Sequence, residues 1–400
     1  MNSPVRFGID SLCADPSLVR GVRRAGLVTN DAARLAIDAG RPSREALRDT
    51  LREAGGALVR LFGPEHGLTG TVADGASVHD GSDALTGLPV VSLYGERMRP
   101  TPQSLRDLDA LFFDIPDVGA RFYTYTWTLY HAIAACTHAQ VPLIVLDRPN
   151  PLGGDMTAAE GPMLDMAHRS FVGEDCIPIR HQLTLGELAR LWQRERFPAA
   201  SIRVVPCSGW TRAMRWSDTG LPWIPTSPAM SSFESAETYP GLCLFEATNL
   251  SVGRGTDYPF QIVGAPWLDP AAVVRDTARH ALRGIELAPT TFIPNVGPHT
   301  AEQCHGIRVH VLDAQVVRPV ALGLLLMASI ASTHPGRFQW TAYPTAANPG
   351  GHGHFERLVG RGDVRGVFDA TPDAIDAGVV RAWTTTADWA ERVRGVLCYD

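Results

Sequence analysis

The stretch Gly56-Ala-Leu-Val-Arg-Leu-Phe-Gly-Pro-Glu-His-Gly67 sets the expectation for the fold, because an apolar run ends abruptly in an ionisable pair. Residues 56–62 read as a buried strand, and Gly63-Pro64 ends it. Glu65 therefore falls at the carboxyl end of a strand, the edge where open α/β sheets bind ligands. A carboxylate beside a histidine can be tuned there for proton transfer; the alternative is a loop carboxylate that caps a helix.

Further apolar runs end in polar residues in the same way, and stretches able to form crossover helices lie between them, such as residues 43–54 and 126–140. Strand and helix thus alternate from residue 20 to 150, which predicts a Rossmann-like parallel sheet with helices on both faces. The right-handed crossover rule then brings the strand ends to one edge. The other runs are residues 26–30, 88–94, 110–117 and 141–150, and the polar side chains expected at that edge are Asn30, Glu65, Tyr94, Asp114, Asp117, Asp147, Arg148 and Asn150.

The pattern changes beyond residue 150, and we predict two α/β domains. Residues 210–265 are rich in Pro, Gly, Trp and Ser with little periodicity, and a loop region this long inside a compact protein is usually functional. We assign this irregular segment to a Rossmann-like catalytic domain at 1–265. A smaller C-terminal α/β domain at 266–400 completes the cleft. Its expected elements are helices at 270–284 and 320–331 and a strand at 306–312.

The composition is that of a soluble globular protein, with 400 residues of which 45% are apolar and 20% charged. A net charge of −6 and a pI near 6.1 do not indicate binding to nucleic acid or to an anionic membrane, because both attract basic proteins. We therefore expect a small polar substrate. Seven scattered cysteines without a Cys-x-x-Cys pair indicate reduced thiols. The first residues do not resemble a signal peptide, and residues 320–330 are too short to span a bilayer, so the expected location is the cytoplasm.

Cofactor motifs are missing from the sequence, which leaves carboxylate chemistry. A dinucleotide site needs Gly-x-Gly-x-x-Gly straight after the first strand, where the chain has Val28-Thr-Asn-Asp-Ala-Ala33. There is no P-loop, no His-Glu-x-x-His zinc motif and no Gly-x-Ser-x-Gly nucleophile elbow. The pair His352-Gly-His354 is interpreted as a flexible loop. We therefore predict no cofactor and no metal ion.

Two clusters carry most of the remaining polar function. In the first, aromatic faces and planar hydrogen-bonding groups suit a sugar ring, although Asp117 and Arg121 can equally form a structural ion pair. In the second, Arg254 stands between two glycines and is a plausible anion clamp, because guanidinium binds carboxylates bidentately. The first cluster comprises Asp114, Asp117, Arg121, Tyr123 and Tyr125, and the second comprises Glu246, Asn249 and Arg254.

Four long motifs resemble the exo-β-N-acetylmuramidases of peptidoglycan recycling, a bacterial family long labelled only as a domain of unknown function. They are Phe62–Gly67, Phe113–Tyr125, Leu146–Gly154 and Phe245–Gly255, and the similarity runs from about Gly26 to Tyr399. The resemblance implies a glycosidase that removes a non-reducing-end N-acetylmuramic acid, a Rossmann-like domain with a smaller C-terminal domain, and no nucleotide cofactor. It also implies that Glu65 is the catalytic acid.

The chain departs from this family at two points. Members often read Pro-Ser-Pro-Asn-Met-Pro where this chain has Thr226-Ser-Pro-Ala-Met-Ser231, so Ala229 lacks an amide that could touch the sugar. Many members also carry a secretion signal, which this sequence does not show, so we expect it to act on imported fragments.

Glycoside hydrolysis needs an acid and a second group at the oxocarbenium-like centre. Glu65 beside His66 suits the acid, whereas the second group stays open between Asp114, Asp117, Glu246 and the substrate's own acetamido oxygen. Arg254 or Arg121 is expected to bind the lactyl carboxylate of the muramic acid. The site should lie between the two domains and bind a single terminal sugar. The remaining substrate-binding candidates are Tyr123, Tyr125, Asp147, Arg148, Asn150, Glu246 and Asn249.

Two other classes of function are compatible with parts of this pattern. A non-catalytic peptidoglycan-binding protein could keep the cleft, but the acid Glu65 argues against it. A dinucleotide-dependent oxidoreductase lacks its glycine fingerprint here.

Overall fold

A computed structural model of the protein describes residues 3–400, and its largest element is a seven-stranded sheet. The strands are β1 Arg24–Thr29, β2 Ala57–Gly63, β3 Gly81–Ser82, β4 Pro89–Ser92, β5 Ala110–Asp114, β6 Leu143–Leu146, β7 Glu160–Met163, β8 Pro178–Arg180, β9 Ile202–Val205, β10 Ile262–Ala265, β11 Ile285–Phe292 and β12 Cys304–Val311. The large sheet has the order β3-β4-β2-β1-β5-β6-β9 and is parallel except for the β3–β4 pair at its edge.

Helices cover both faces of this sheet. The α-helices of residues 3–400 are α1 Gly8–Ala14, α2 Ser43–Glu53, α3 Pro102–Leu105, α4 Tyr125–Ala139, α5 Leu185–Glu195, α6 Phe233–Leu242, α7 Pro270–Ala278, α8 Pro319–Thr333, α9 His354–Val359, α10 Asp363–Ala370, α11 Ala377–Thr384 and α12 Trp389–Val393. One core forms with α1 and α2, and a second with α4 and α5. Strands β5 and β6 are buried along their whole length, which explains their uninterrupted apolar runs. The predicted Rossmann-like parallel sheet is confirmed.

A three-stranded antiparallel sheet of order β10-β12-β11 forms in the C-terminal part and packs against α6 and α7. Strand β12 and helix α8 lie where the sequence predicts a strand and a helix. Strand β11 is not predicted, because it contains Pro289 and directly follows the predicted helix 270–284, which in the structure ends at Ala278. Proline is tolerated there because β11 is an edge strand, where a missing N–H costs no sheet hydrogen bond.

The segment 210–265 is not irregular throughout, because it contains helix α6 and strand β10. Pro240-Gly241 near the end of α6 makes the helix read as a loop in the sequence. Gly241 packs so closely on α8 that a Cβ atom would lie 1.9 Å from the Pro319 carbonyl oxygen. Strand β10 pairs with β12, so the small sheet takes one strand from before residue 266. The domain boundary at 265/266 stays a prediction.

Candidate active site

Glu65 lies in the turn that follows β2, at the carboxyl edge of the sheet. Its side chain is buried at 6% exposure, and both carboxylate oxygens accept hydrogen bonds. The Gly75 N–H donates to Oε1 over 3.0 Å, and the Thr124 hydroxyl donates to Oε2 over 2.6 Å. Burial and the negative charge of Asp74 raise the pKa of Glu65 above its ordinary value, although both hydrogen bonds oppose the rise.

His66 adopts a left-handed backbone conformation with φ of 66°, which is uncommon for a residue other than glycine. Its Nδ1 lies 2.8 Å from the carbonyl oxygen of Val72. Since a carbonyl can only accept, Nδ1 carries the proton of this hydrogen bond. The strained backbone and this bond fix the ring beside Glu65.

Asp74 lies beside this pair, and no hydrophobic pattern in the sequence marks it as a site residue. Glu65, His66 and Asp74 each contribute a side-chain atom to a group whose members lie within 4.8 Å of one another. The Tyr343 hydroxyl donates to Asp74 Oδ2 over 2.6 Å, and Arg254 Nη2 lies 3.2 Å from Oδ1. Burial alone would raise the pKa of Asp74, but Arg254, His66 and the Tyr343 hydroxyl together hold it below its ordinary value.

Three side chains of this kind could in principle ligate a cation. The oxygens of Glu65 and Asp74, however, already face four donors, namely a backbone N–H, two hydroxyls and a guanidinium. A metal ion would share these oxygens with donors that the protein already supplies, so the two carboxyl groups have partners without one. The expected absence of a metal ion stays a prediction.

Arg254 connects Asp74 to a second buried carboxylate. Its Nε donates to Glu246 Oε1 over 2.5 Å, and its guanidinium lies over the Phe260 ring with 4.9 Å to the centroid. Burial raises the pKa of Glu246 above its ordinary value, against the opposing charge of Arg254. Tyr343 also reaches Glu246 Oε1 over 3.2 Å, so its hydroxyl lies between the two carboxylates.

These groups line one pocket with aromatic walls, and its residues come from both halves of the chain. It includes five of the predicted site residues, namely Glu65, His66, Tyr123, Glu246 and Arg254. Further lining residues include Asp74, Tyr94, Phe122, Thr124, Phe171, Ser227, Ala229, Tyr239, Phe260, Tyr343, Thr345, Asn348, His354 and Arg357. Tyr125 stands behind the wall, where its hydroxyl donates to the Thr226 carbonyl over 2.8 Å.

The structure does not bring Asp114, at the end of β5, or Asp117, in the loop after it, to this pocket. Asp114 is fully buried and paired with Arg148, whose Nε lies 2.5 Å from Oδ1. Asp117 lines a separate small cavity beneath Trp216 and Trp223, where burial raises its pKa to about 7. Its oxygens accept from the Gly119 N–H and the Thr126 hydroxyl rather than from Arg121, so the alternative Asp117–Arg121 ion pair does not form either.

Four other predicted binding residues hold the loops of the protein together. Asp147 accepts from Thr184 and Gly186, and Asn150 bonds the backbone of Leu152 and Leu183. Asn249 bonds the backbone of Arg337 and Gln339. Arg121 is fully buried and donates to the carbonyls of Pro162, Ile177 and Leu358. Their polar groups bond partners within the fold, and sequence patterns do not distinguish such residues from ligand-binding ones.

The interpretation of His352-Gly-His354 as a flexible loop is wrong for His354. This residue begins α9, is buried at 7% exposure, and stacks on Tyr343 with 4.6 Å between ring centroids. Burial lowers the pKa of His354 to about 4, so the ring is neutral at physiological pH. Hydrophobic periodicity could not identify Tyr343, His354 and Asp74, because they come from segments without it. The only sequence signal for a site was a glycine next to an ionisable residue, as in Asp74-Gly75 and Gly353-His354.

The pocket places a buried carboxyl group of raised pKa beside a carboxyl group of lowered pKa between aromatic walls, an arrangement typical of enzymes that use two carboxyl groups for acid–base chemistry. Comparison with known proteins narrows this class. Residues 25–234 match the family model "Exo-beta-N-acetylmuramidase NamZ, N-terminal", and residues 237–399 match its C-terminal counterpart. The chain therefore belongs to the NamZ family of exo-β-N-acetylmuramidases, which confirms the resemblance noted in the sequence.

Individual relatives agree with this assignment. The chain is 38% identical over 362 residues to the peptidoglycan β-N-acetylmuramidase NamZ of Bacillus subtilis strain 168, covering 90% of this chain and 83% of the relative. Crystal structures of two DUF1343 family proteins from Bacteroides fragilis NCTC 9343 are also similar. One has a TM-score of 0.85 at 30% identity, covering 99% of both chains. The other has a TM-score of 0.72 at 28% identity, covering 100% of this chain and 99% of its own.

Across residues 3–400, no helix combines the length and the apolar character that crossing a membrane requires.

We predict that Arg121→Met destabilises the protein by about 3 kcal/mol, because three buried carbonyls lose their donor. Thermal unfolding measures this, with Arg361→Met, which removes an exposed arginine paired with Asp363, as the control. A stable Arg121→Met protein with a selective loss of ligand binding would instead support the predicted substrate-binding role.

Proposed function

We propose that this protein hydrolyses the glycosidic bond of N-acetylmuramic acid at the non-reducing end of peptidoglycan fragments. The observation that carries the proposal is Glu65, a buried carboxyl of raised pKa at a strand end, beside the ionised Asp74. The Bacillus subtilis relative, named for this activity, supports the substrate. Its place of action is the cytoplasm, which the seven free thiols of the chain support.

Glu65 is the general acid of the proposed reaction. Its raised pKa keeps the carboxyl protonated at a pH where an exposed glutamate is ionised, so it can protonate the leaving oxygen. Once the proton has left, the Gly75 N–H and the Thr124 hydroxyl stabilise the resulting carboxylate. These two donors therefore stabilise the ionised form of Glu65, whereas burial and the charge of Asp74 favour its protonated form.

Asp74 is the proposed second carboxylate, in place of Asp114 and Asp117. Its oxygen lies within 4.8 Å of Glu65, whereas inverting glycosidases separate the two carboxyl groups by about 6.5–9.5 Å to admit a water. The spacing thus favours retention of configuration. Because Arg254 and Tyr343 fix both oxygens of Asp74, its charge is held in place to stabilise the oxocarbenium-like centre or the acetamido group that attacks it.

Exo cleavage follows from the way in which two distant parts of the chain form the pocket. Glu65 and Asp74 come from the segment after β2, Arg254 comes from the turn before β10, and Tyr343 and His354 come from the C-terminal third. Phe122, Phe171, Tyr239 and Phe260 supply apolar faces on which a sugar ring can pack. A pocket with walls on both sides accommodates the terminal sugar of a glycan better than the middle of a glycan chain.

An assay with a chromogenic N-acetylmuramide, run with and without NAD, separates the proposed hydrolase from the two other classes. A binding protein would retain the sugar without releasing the chromophore, and an oxidoreductase would need the dinucleotide.

We expect Glu65→Gln to lower kcat on a muramic acid disaccharide by about 10²–10⁴-fold, because the amide keeps the shape but cannot donate a proton as an acid. The loss should be smaller on a nitrophenyl muramide, whose leaving group needs little protonation. Glu286→Gln, on the exposed face of β11, is the matched control. A folded Glu65→Gln enzyme of near wild-type rate on the disaccharide would rule out this acid.

The rate should fall as pH rises through the pKa of Glu65, since the acid must be protonated. Asp74→Asn removes one of the two influences that raise this pKa and leaves Arg254 without one of its two counter-charges. The alkaline limb of kcat/KM, followed through the residual activity, should therefore move to lower pH. Asp80→Asn, an exposed pair with Arg97, should leave it in place. An upward shift in Asp74→Asn would contradict the assignment.

The third expected outcome is stereochemical. Proton NMR of the reaction at early times should show the β-anomer of N-acetylmuramic acid before mutarotation, because the Glu65–Asp74 spacing favours retention. The α-anomer as the first product would mean that a water attacks directly, and that the close pair does not set the mechanism.

A further inference from the structure

The pocket contains two arginines, and only one of them is neutralised by the protein. Arg254 is held between Asp74 and Glu246. Arg357 also lines the pocket, and it makes no ion pair with any carboxylate of residues 3–400. The two arginines that follow it are paired, Arg361 with Asp363 and Arg365 with Glu356. Arg357 is therefore the pocket cation that is available to a ligand.

A second observation at the same place points to a ligand. His354 lies three residues before Arg357 on α9, so both side chains occupy the same face of the helix. Its ring is buried at 7% exposure, lines the pocket, and leaves Nε2 without a hydrogen-bond partner in the described part of the chain. A buried polar atom without a partner is costly, and a ligand hydroxyl or carboxylate there would satisfy it.

The charges of the pocket make a free cation necessary for an anionic sugar. Asp74 is ionised, Glu246 can ionise, and Arg254 is shared between them, so this group would not attract a further anion. Arg121, the other arginine considered from the sequence, is occupied by three backbone carbonyls. Burying a carboxylate without a charged partner is unfavourable, which leaves Arg357 to receive it.

We infer that Arg357 binds the lactyl carboxylate of the terminal sugar and thereby makes the pocket selective for muramic acid over glucosamine, with His354 bonding the same sugar. This inference rests on the proposed function. The guanidinium forms two parallel hydrogen bonds to a carboxylate, a geometry that a neutral ether or hydroxyl cannot reproduce. Arg357 thus acts as a specificity residue and takes no part in proton transfer.

The test compares two probes, the nitrophenyl β-glycoside of N-acetylmuramic acid and its lactyl methyl ester, in which one methyl group removes the charge of the carboxylate. Arg357→Met should lower kcat/KM on the free acid by about 10- to 100-fold and change it little on the ester. Arg357→Lys should recover part of the loss, because it restores the charge without the fork. Arg361→Met, outside the pocket, should match the wild type on both probes.

Calorimetric binding of free N-acetylmuramic acid and of its methyl ester gives a readout independent of turnover, and thermal unfolding shows that each variant is folded. Equal losses on both probes in Arg357→Met, or no loss on the free acid, would overturn the inference while leaving the hydrolase intact. A wild-type protein that neither binds nor cleaves the muramic probes would overturn the proposed function itself. If Arg357→Met does not fold, the milder variant Arg357→Lys is tested in its place, and its kcat/KM on the free acid is compared with that on the methyl ester.

Discussion

The ion pair between Arg254 and Asp74 is the contact on which the pocket depends. Asp74 belongs to the segment after β2, and Arg254 belongs to the turn before β10, so the pair ties distant parts of the chain across the site. Arg254 also bonds Glu246, and Tyr343 bonds both carboxylates. Without the guanidinium, two carboxylates would lie close together in a buried space, where each would raise the pKa of the other. The cation permits Asp74 to stay ionised there.

This arrangement separates two carboxyl groups of the same chemistry. Glu65 meets burial and a neighbouring negative charge, and its pKa rises. Asp74 meets a guanidinium and a tyrosine hydroxyl, and its pKa falls despite burial. Environments that push neighbouring pKa values apart are how acid and anion roles are assigned in many enzymes. One salt bridge thus keeps Asp74 charged and, through that charge, helps to keep Glu65 protonated.

Hydrophobic periodicity was sufficient to predict the parallel sheet and the strand end at which Glu65 stands, because buried strands leave an unbroken apolar run. It was not sufficient to choose among the polar residues at the other strand ends. Asp114 and Asp147 look like Glu65 in the sequence, yet each satisfies a buried partner inside the fold. Asp74, Tyr343 and Arg357 were missed, because their place in the pocket depends on loops that meet only in three dimensions.

The carboxyl edge of the sheet borders two separate spaces, and only one of them is the main pocket. The ends of β5 and β6 face Trp216 and Trp223, which with Asp117 and Arg148 line a separate small cavity. Thr226 marks the limit between the two spaces, because its hydroxyl meets Tyr123 over 2.6 Å and its carbonyl accepts from Tyr125. Ser227 and Ala229 follow on the side of the main pocket. Ala229, where the chain departs from the family pattern, therefore lines the main pocket and is not a hydrogen-bond partner of Glu65 or Asp74.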